Sequence, residues 1–292
     1  MLSKTKTKTS LLAVSGGPDS MFLLNQFKNK NIVVAHVNYH LRTDSDIDQQ
    51  IVENYCQKYG IKLEILSVNK KQEEYHNIQN EAREIRYQFF NKIYQKYNCN
   101  QLLIAHQKDD FLETIFLQKM KQKKVNFWGI KKKKFLYNMN IKRPFLYKYF
   151  KQEVIDLLNK KQILFATDSS NNKEIYQRNK IRIELKNKSK IWKNSIILKY
   201  RIINLLKLIK LIRINYLLYR WKKTQFDIVF FEKIKKKSQF LYFFIHKYYF
   251  DINISSKKLK SIEDFLLAKE RTGKYLLKNG KYLVKKQYKV IL

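Results

Sequence analysis

Scarcity is the first property of this chain. Its 292 residues include two cysteines, two prolines and six glycines. Cys56 and Cys99 lie far apart in helical-looking segments, with no Cys-x-x-Cys spacing. That excludes a disulfide framework or zinc knuckle and leaves two buried thiols. No apolar run reaches the ~20 residues that a spanning helix needs. The aromatic stretch 240–250 is too short, and Lys247 interrupts it. The first ten residues are polar and lysine-rich, without the apolar core of a secretion signal, so a cytoplasmic protein is expected. Acid is scarce too: 24 Asp and Glu stand against 61 Lys and Arg, a net charge of +37. Such an excess calls for an anionic partner, nucleic-acid phosphate first and an anionic membrane surface second. Both common nucleotide loops are missing, since neither Gly-x-x-x-x-Gly-Lys-Ser/Thr nor a post-strand Gly-x-Gly-x-x-Gly occurs.

Against that scarcity, two adjacent glycines are informative. The run Leu11–Val14 reads as a strand, and Ser15-Gly16-Gly17-Pro18-Asp19-Ser20 follows, leading into an apolar helical segment. Glycines let the backbone turn sharply and approach a ligand closely. The two hydroxyls and the free N–H groups of a helix start then offer an anion cradle. This spelling is similar to the loop of the ATP pyrophosphatases, the PP-loop, which implies cleavage of ATP between its α- and β-phosphates.

The N-terminal part alternates. Strand-like runs at 11–14, 32–37, 62–66 and 102–105 are separated by helical patterns at 21–28, 45–59 and 80–97. Such alternation predicts a parallel sheet covered by helices on both faces, with ligands at the carboxyl ends of the strands. Past Pro144 a helix is expected near 149–161, then a polar loop 168–172. From about 190 the pattern becomes long basic and apolar helices, and Asn279-Gly280 between alternating runs signals a hairpin. Residues 186–292 carry 28 Lys and Arg against six acids. The expected organisation is a domain at 1–185 and a smaller, basic, mostly helical domain at 186–292 ending in a hairpin. The abundance of Lys, Asn, Ile, Phe and Tyr also suits an AT-rich genome, which weakens charge alone as evidence for RNA.

Three further strings carry chemistry. In Ala105-His106-Gln107-Lys108-Asp109-Asp110-Phe111-Leu112-Glu113-Thr114, the three acids share the first turns of a helix. Helix capping would explain one of them; the whole cluster suits magnesium or a substrate ammonium. In Asn80-Glu81-Ala82-Arg83-Glu84-Ile85-Arg86-Tyr87, Arg83 and Arg86 can reach one side and neutralise departing phosphate, or simply form a solvated face. In His36-Val37-Asn38-Tyr39-His40-Leu41-Arg42, either histidine could be a satisfied loop residue. Arg143-Pro144-Phe145, Asp168-Ser169-Ser170-Asn171 and Arg178-Asn179-Lys180-Ile181-Arg182 complete the set.

In this order, across 11–182, the strings resemble the tRNA(Ile)-lysidine synthase family. The resemblance implies an α/β PP-loop domain of the adenine nucleotide alpha hydrolase type, followed by helical parts that hold tRNA. It also implies a reaction: ATP adenylates C2 of cytidine 34 in a CAU anticodon, and the ε-amine of free L-lysine displaces AMP. By matching positions, Ser15, Gly16, Gly17, Pro18, Asp19, Ser20 and Arg86 would bind ATP. Asp19, Arg83, His106, Asp109, Asp110 and Glu113 would be catalytic, with Asp109 and Asp110 on Mg2+. The partners implied are tRNA(Ile) and lysine, with room for a homodimer and no membrane. The pattern departs from the family at His36-Val37-Asn38-Tyr39, where a second histidine is displaced to His40. It departs again at Lys119-Met120-Lys121-Gln122-Lys123, where Arg-Gly is usual. The chain is also shorter than many members, as though a last domain were absent. The rival readings are a sibling PP-loop tRNA thiolase, and a membrane-surface helix at 190–221, whose Ile and Leu positions interleave with Lys and Arg.

Overall fold

The computed structural model describes residues 8–40, 45–68, 78–122, 125–166, 175–249, 252, 254–278 and 280–291; the side chains of 78, 79, 175, 176 and 178 are not among them. The chain divides into two compact units, 1–202 and 203–292.

The first unit is built on a six-stranded sheet. Its strands are β1 (Ser10–Ala13), β2 (Ile32–Asn38), β3 (Lys62–Ser67), β4 (Gln101–Leu103), β5 (Lys133–Leu136) and β6 (Met139–Lys142), in the spatial order β3-β2-β1-β4-β6-β5. Pairings among β3, β2, β1, β4 and β6 are parallel. Period-two alternation sends successive residues to opposite faces. Leu12, Val34 and Leu103 pack with Met21, Phe22, Val52 and Val154 of α1 (Pro18–Phe27), α2 (Ser45–Lys58) and α5 (Lys151–Lys160). Leu11, Val33 and Leu102 pack on the other face with Tyr87, Phe90 and Ile93 of α3 (Ile78–Lys96). These strands are apolar on both faces, as a doubly covered parallel sheet requires.

The expected strands and helices of 11–105 all form. The β5–β6 hairpin is an addition that the sequence pattern does not announce. Tyr137 and Asn138 take φ of 48° and 56° at its tip, the left-handed pair of a two-residue hairpin turn. Its strand residues include Lys133, Lys134 and Lys142, so the apolar alternation that marks a strand is faint. It adds an antiparallel edge.

After β1 the chain moves outward through β2 and β3, then returns to place β4 on the other side of β1. The crevice of such a sheet lies where the order reverses, at the carboxyl ends of β1 and β4. Those ends run into Val14-Ser15 and Ile104-Ala105-His106. Two further helices matter to the site: α4 (Lys108–Met120) and α6 (Ile175–Lys186).

A 34-residue helix, α7 (Lys190–Lys223), runs from the first unit into the second. The second unit adds α8 (Ile228–Glu232), α9 (Lys237–Tyr248), α10 (Ser256–Leu267) and an antiparallel sheet of β7 (Gly273–Lys278), β8 (Lys281–Lys286) and β9 (Lys289–Ile291). Trp221 is fully buried among Phe226, Phe231, Phe240 and Phe244. Within the aromatic run, Phe240, Leu241, Phe244 and Ile245 are therefore core, while Tyr242, His246 and Lys247 are exposed. Asp227 and Ser255 accept from backbone N–H groups to cap α8 and α10. The expected hairpin forms between β7 and β8, with Gly280 at φ 71°; Asn279 lies outside the described residues.

Candidate active site

The loop after β1 is braced internally. Ser20 Oγ accepts from Ser15 N–H at 3.1 Å and donates to the Gly17 carbonyl at 2.8 Å. Gly16 is obligatory for two reasons. Its φ is 86°, and a Cβ there would lie 2.8 Å from the Asp48 carbonyl oxygen at the start of α2. Pro18 opens α1 at a position where its missing N–H costs nothing, behind an extended Gly17. The first N–H groups of the helix have no intrahelical partner and present an anion-binding end.

Asp19 lies in the first turn of α1, and its Oδ1 is buried without a hydrogen-bond partner. Burial and the neighbouring Asp110 and Asp109 push its pKa up to about 7, while Lys151 and Arg182 pull the other way. Asp110, at the start of α4, is pushed up to about 6, chiefly by burial. Gln107 N–H donates to Asp110 Oδ2 at 2.7 Å, and Asp109 N–H donates to Gln107 Oε1 at 2.7 Å. Asp109 Oδ2 in turn accepts from Lys151 N–H, the first residue of α5, at 2.8 Å. Glu113, one turn further along α4, is buried and paired with Arg182 of α6 at 2.9 Å. Four acids from two helices thus converge with one arginine.

The other side of α4 is basic. His106 Nδ1 accepts from Arg143 Nε at 2.9 Å. Burial, with Arg143, Arg86 and Arg83 nearby, lowers its pKa to about 3. The ring is therefore neutral and carries its proton on Nε2, free to donate. Arg143 is itself buried and also donates to the Lys131 carbonyl at 2.9 Å. Arg83 and Arg86 are exposed on α3, and Arg83 stacks over the Tyr87 ring at 4.8 Å.

The structure brings Ser15, Gly16, Gly17, Pro18, Asp19 and Ser20 into one loop and joins Asp19 to Asp109 and Asp110. It places Arg83 and Arg86 beside His106. His36 is different: it is buried, with Nδ1 3.0 Å from the Val14 carbonyl, and braces the β1 end. His40, at φ 50°, contacts Ser67 and Asp46. Arg42, the 168–171 string, Lys123 and the Arg178 side chain lie outside the described residues. The site residues that sequence reasoning left without a role are Arg182, Arg143, Lys151 and Gln107. Arg143 and Arg182 stood in quoted strings, but nothing local distinguishes them from 59 other basic residues; only their buried carboxylate and imidazole partners do.

A sheet with this switch point and this braced Ser-Gly-Gly loop defines a PP-loop ATP-utilising domain, and the family profile described by that name, PP-loop domain, matches residues 1–189. Along its whole length the chain is 43% identical to a tRNA(Ile)-lysidine synthase of Mesomycoplasma hyopneumoniae (strain 232), covering 98% of that protein. It is 45% identical to the enzyme of that name from Mycoplasmopsis pulmonis (strain UAB CTIP), over 94% of this chain and 96% of that one. The chain belongs to the tRNA(Ile)-lysidine synthase family. Among solved structures, the U34-tRNA thiolase NcsA from Methanococcus maripaludis, with its [4Fe-4S] cluster, shares the fold at a TM-score of 0.56. Identity to it is 17%, over 68% of this chain and 72% of that one. The thiolase reading is not favoured. Burial pushes the Cys56 and Cys99 thiols up to about 12 and about 11, which is unlike a cluster ligand. Among the described residues no helix is long and apolar enough to cross a membrane.

Proposed function

We infer that this protein makes lysidine. Using ATP, it activates C2 of cytidine 34 in the CAU anticodon of tRNA(Ile) as an adenylate, releasing pyrophosphate. The ε-amine of free L-lysine then attacks C2, and AMP leaves. Family membership along the full chain carries this reading. The cell compartment is the cytoplasm, where uncharged tRNA, lysine and ATP meet.

The residue roles follow from the charge pattern of the site. Ser15, Gly16, Gly17, Pro18 and Ser20 frame the cradle for ATP phosphates, with backbone N–H groups at the start of α1 as donors. Arg83, Arg86 and the Nε2–H of His106 face the phosphates and the adenylate from the basic side, where negative charge develops as pyrophosphate departs. Arg143 holds His106 in that tautomer.

The acidic side suits cations. Asp19 Oδ1 is buried and unpaired, and Asp110 is close enough to raise the Asp19 pKa; a cation relieves both conditions. Among the described residues no three acidic, His or Cys side chains form a metal cage. Asp109 and Asp110, with Asp19 beside them, would hold Mg2+ jointly with phosphate oxygens, the usual mode for this ion. When bound it would offset charge on the phosphates. Glu113, already paired with Arg182, helps position the lysine ammonium beside Asp110.

The test is incorporation of labelled lysine into a CAU-anticodon tRNA(Ile) transcript, with and without ATP, beside a methionine tRNA. ATP-dependent labelling of the first alone is expected. Pyrophosphate release without lysine incorporation would keep the PP-loop chemistry and overturn the substrate.

A further inference from the structure

The β5–β6 hairpin turns through a residue poorly suited to it. Both central residues of such a two-residue turn need positive φ, which asparagine and glycine adopt readily. Asn138 fits, at φ 56°. Tyr137 takes φ 48°, a conformation that bulky L residues avoid. What a tyrosine brings here, and an asparagine does not, is a long aromatic side chain.

That side chain lies on α3. The Tyr137 ring stacks on Tyr87, with centroids 5.1 Å apart and planes 21° from parallel. Its hydroxyl donates to Glu84 Oε2. Tyr87 is buried, and its ring also carries the Arg83 guanidinium, 4.8 Å from the centroid. We propose that Tyr137 is a positioning residue for Arg83, an inference that rests on the phosphate-facing role of that arginine. By stacking on Tyr87, it fixes the ring that keeps the guanidinium on the phosphate side of the site.

The backbone of this part of α3 has its own anchor. Tyr39, just past β2, donates from its hydroxyl to the Ala82 carbonyl at 2.5 Å. In the sheet, β2 lies on one side of β1 and β4, and the β5–β6 hairpin on the other. What remains to be fixed is the Arg83 side chain, which is exposed. Gripping a phosphate takes away its rotamer freedom, so an orientation set beforehand strengthens binding.

Charge decides what kind of hold is suitable. Besides burial, Arg143, Arg86 and Arg83 lower the His106 pKa, so three guanidinium groups share this side of the site. With no anion between them they repel, and exposed Arg83 swings toward solvent most easily. An aromatic face attracts the cation without cancelling its charge, which stays available for phosphate. A carboxylate in that place would neutralise it. Glu84, next to Arg83 in sequence, is instead engaged by Tyr137 and by Gln88 Nε2, the latter at 3.3 Å.

Tyr137→Asn separates positioning from packing. It removes the ring and hydroxyl but supplies a residue that the left-handed turn prefers. Thermal unfolding should move little, since the better turn residue offsets the lost stack. ATP affinity, by equilibrium dialysis on the full chain, should fall about tenfold, the size of one lost cation–π hold. Tyr137→Phe keeps the stack and should bind ATP within about twofold of the parent chain.

A double-mutant cycle with Arg83→Ala decides whether Tyr137 acts through that arginine. If it does, Tyr137→Asn costs nothing further once Arg83 is gone. Losses that multiply overturn the proposal. So does parental ATP affinity in Tyr137→Asn or in Arg83→Ala, a Tyr137→Phe chain as weak as Tyr137→Asn, or ATP binding lost only together with the fold. ATP dialysis needs neither lysine nor tRNA. A coupled cycle in a chain that labels no tRNA(Ile) would therefore keep Tyr137 in its role and overturn the lysidine reading instead.

Discussion

The two units bury different things. Among the described residues, the first buries Ser20, His36, Asn38, Gln107, Glu113 and Arg143 along with its apolar core. The second packs an aromatic core around Trp221, and its buried polar side chains are Asn204 and Lys285. Lys285 is a structural device: its Nζ donates to the Leu266 and Ala268 carbonyls, 2.9 and 2.7 Å away, at the C-terminal end of α10. Among the described residues, Asp19 Oδ1 and Asn100 Oδ1 in the first unit and Tyr249 Oη in the second are buried without a hydrogen-bond partner. Asp19 differs from the other two in lying at the phosphate loop, where Asp110 and Asp109 crowd it with like charge.

Breaking the unpaired carboxylate at the loop should have the largest effect. Asp19→Ala should lower lysine incorporation by about a thousandfold or more, in the range of losing a preorganised charged group. Filter binding of tRNA should change by less than a few-fold, because that contact is spread over many lysines. Loss of both together would mean that the loop, not the carboxylate, had failed.

Breaking the aromatic core of the second unit should cost stability instead. Trp221→Ala should remove about 3–5 kcal/mol from the second unit, by the usual cost of truncating a buried aromatic. Chemical denaturation would measure it, and ATP binding by the first unit should survive wherever the second is unfolded.

A pH series sharpens the contrast. Folded and metal-free, Asp19 keeps its proton to about pH 7; unfolded, it loses it near 3.8. Its contribution is therefore fully present below pH 3.8 and is lost as pH rises through 7. Asp19→Asn keeps the neutral shape at all pH values. It should match the parent protein near pH 4 and be more stable by up to about 4 kcal/mol at pH 8, at 1.36 kcal/mol per pKa unit. A difference independent of pH would show that Asp19 is not desolvated.

Two smaller effects follow. Arg143→Lys keeps the charge but loses the fork that serves both His106 and the Lys131 carbonyl. Turnover should fall on the order of tenfold to a hundredfold, for about 1–3 kcal/mol of lost hydrogen bonding. Lys285→Met should cost about 1–2 kcal/mol in the second unit, with turnover unchanged when assayed well below the unfolding transition.

Much of this was legible because local chemistry is written locally. Ser15–Ser20 needs its glycines and serines in consecutive positions. The strand–helix alternation of 11–105 reports its own period. The i,i+3 and i,i+4 spacing of Asp109, Asp110 and Glu113 can be read wherever the helix lies. The β5–β6 hairpin escaped because lysines mask its alternation and Tyr137-Asn138 replaces the usual glycine turn. The apolar face of α7 was visible as composition. Which of its residues face a core and which face outward was not.

By itself, then, the sequence determined the class of fold, the phosphate loop and the family, all of which depend on neighbours a few residues apart. Tertiary structure decided which of 61 cations matter: Arg143 and Arg182, brought 37 and 69 residues along the chain to His106 and Glu113. It also decided that Asp19 meets Asp110 across two helices and that His36 is a brace. Charge and proton affinity depend on burial and on partners distant in sequence, and only the folded chain supplies either.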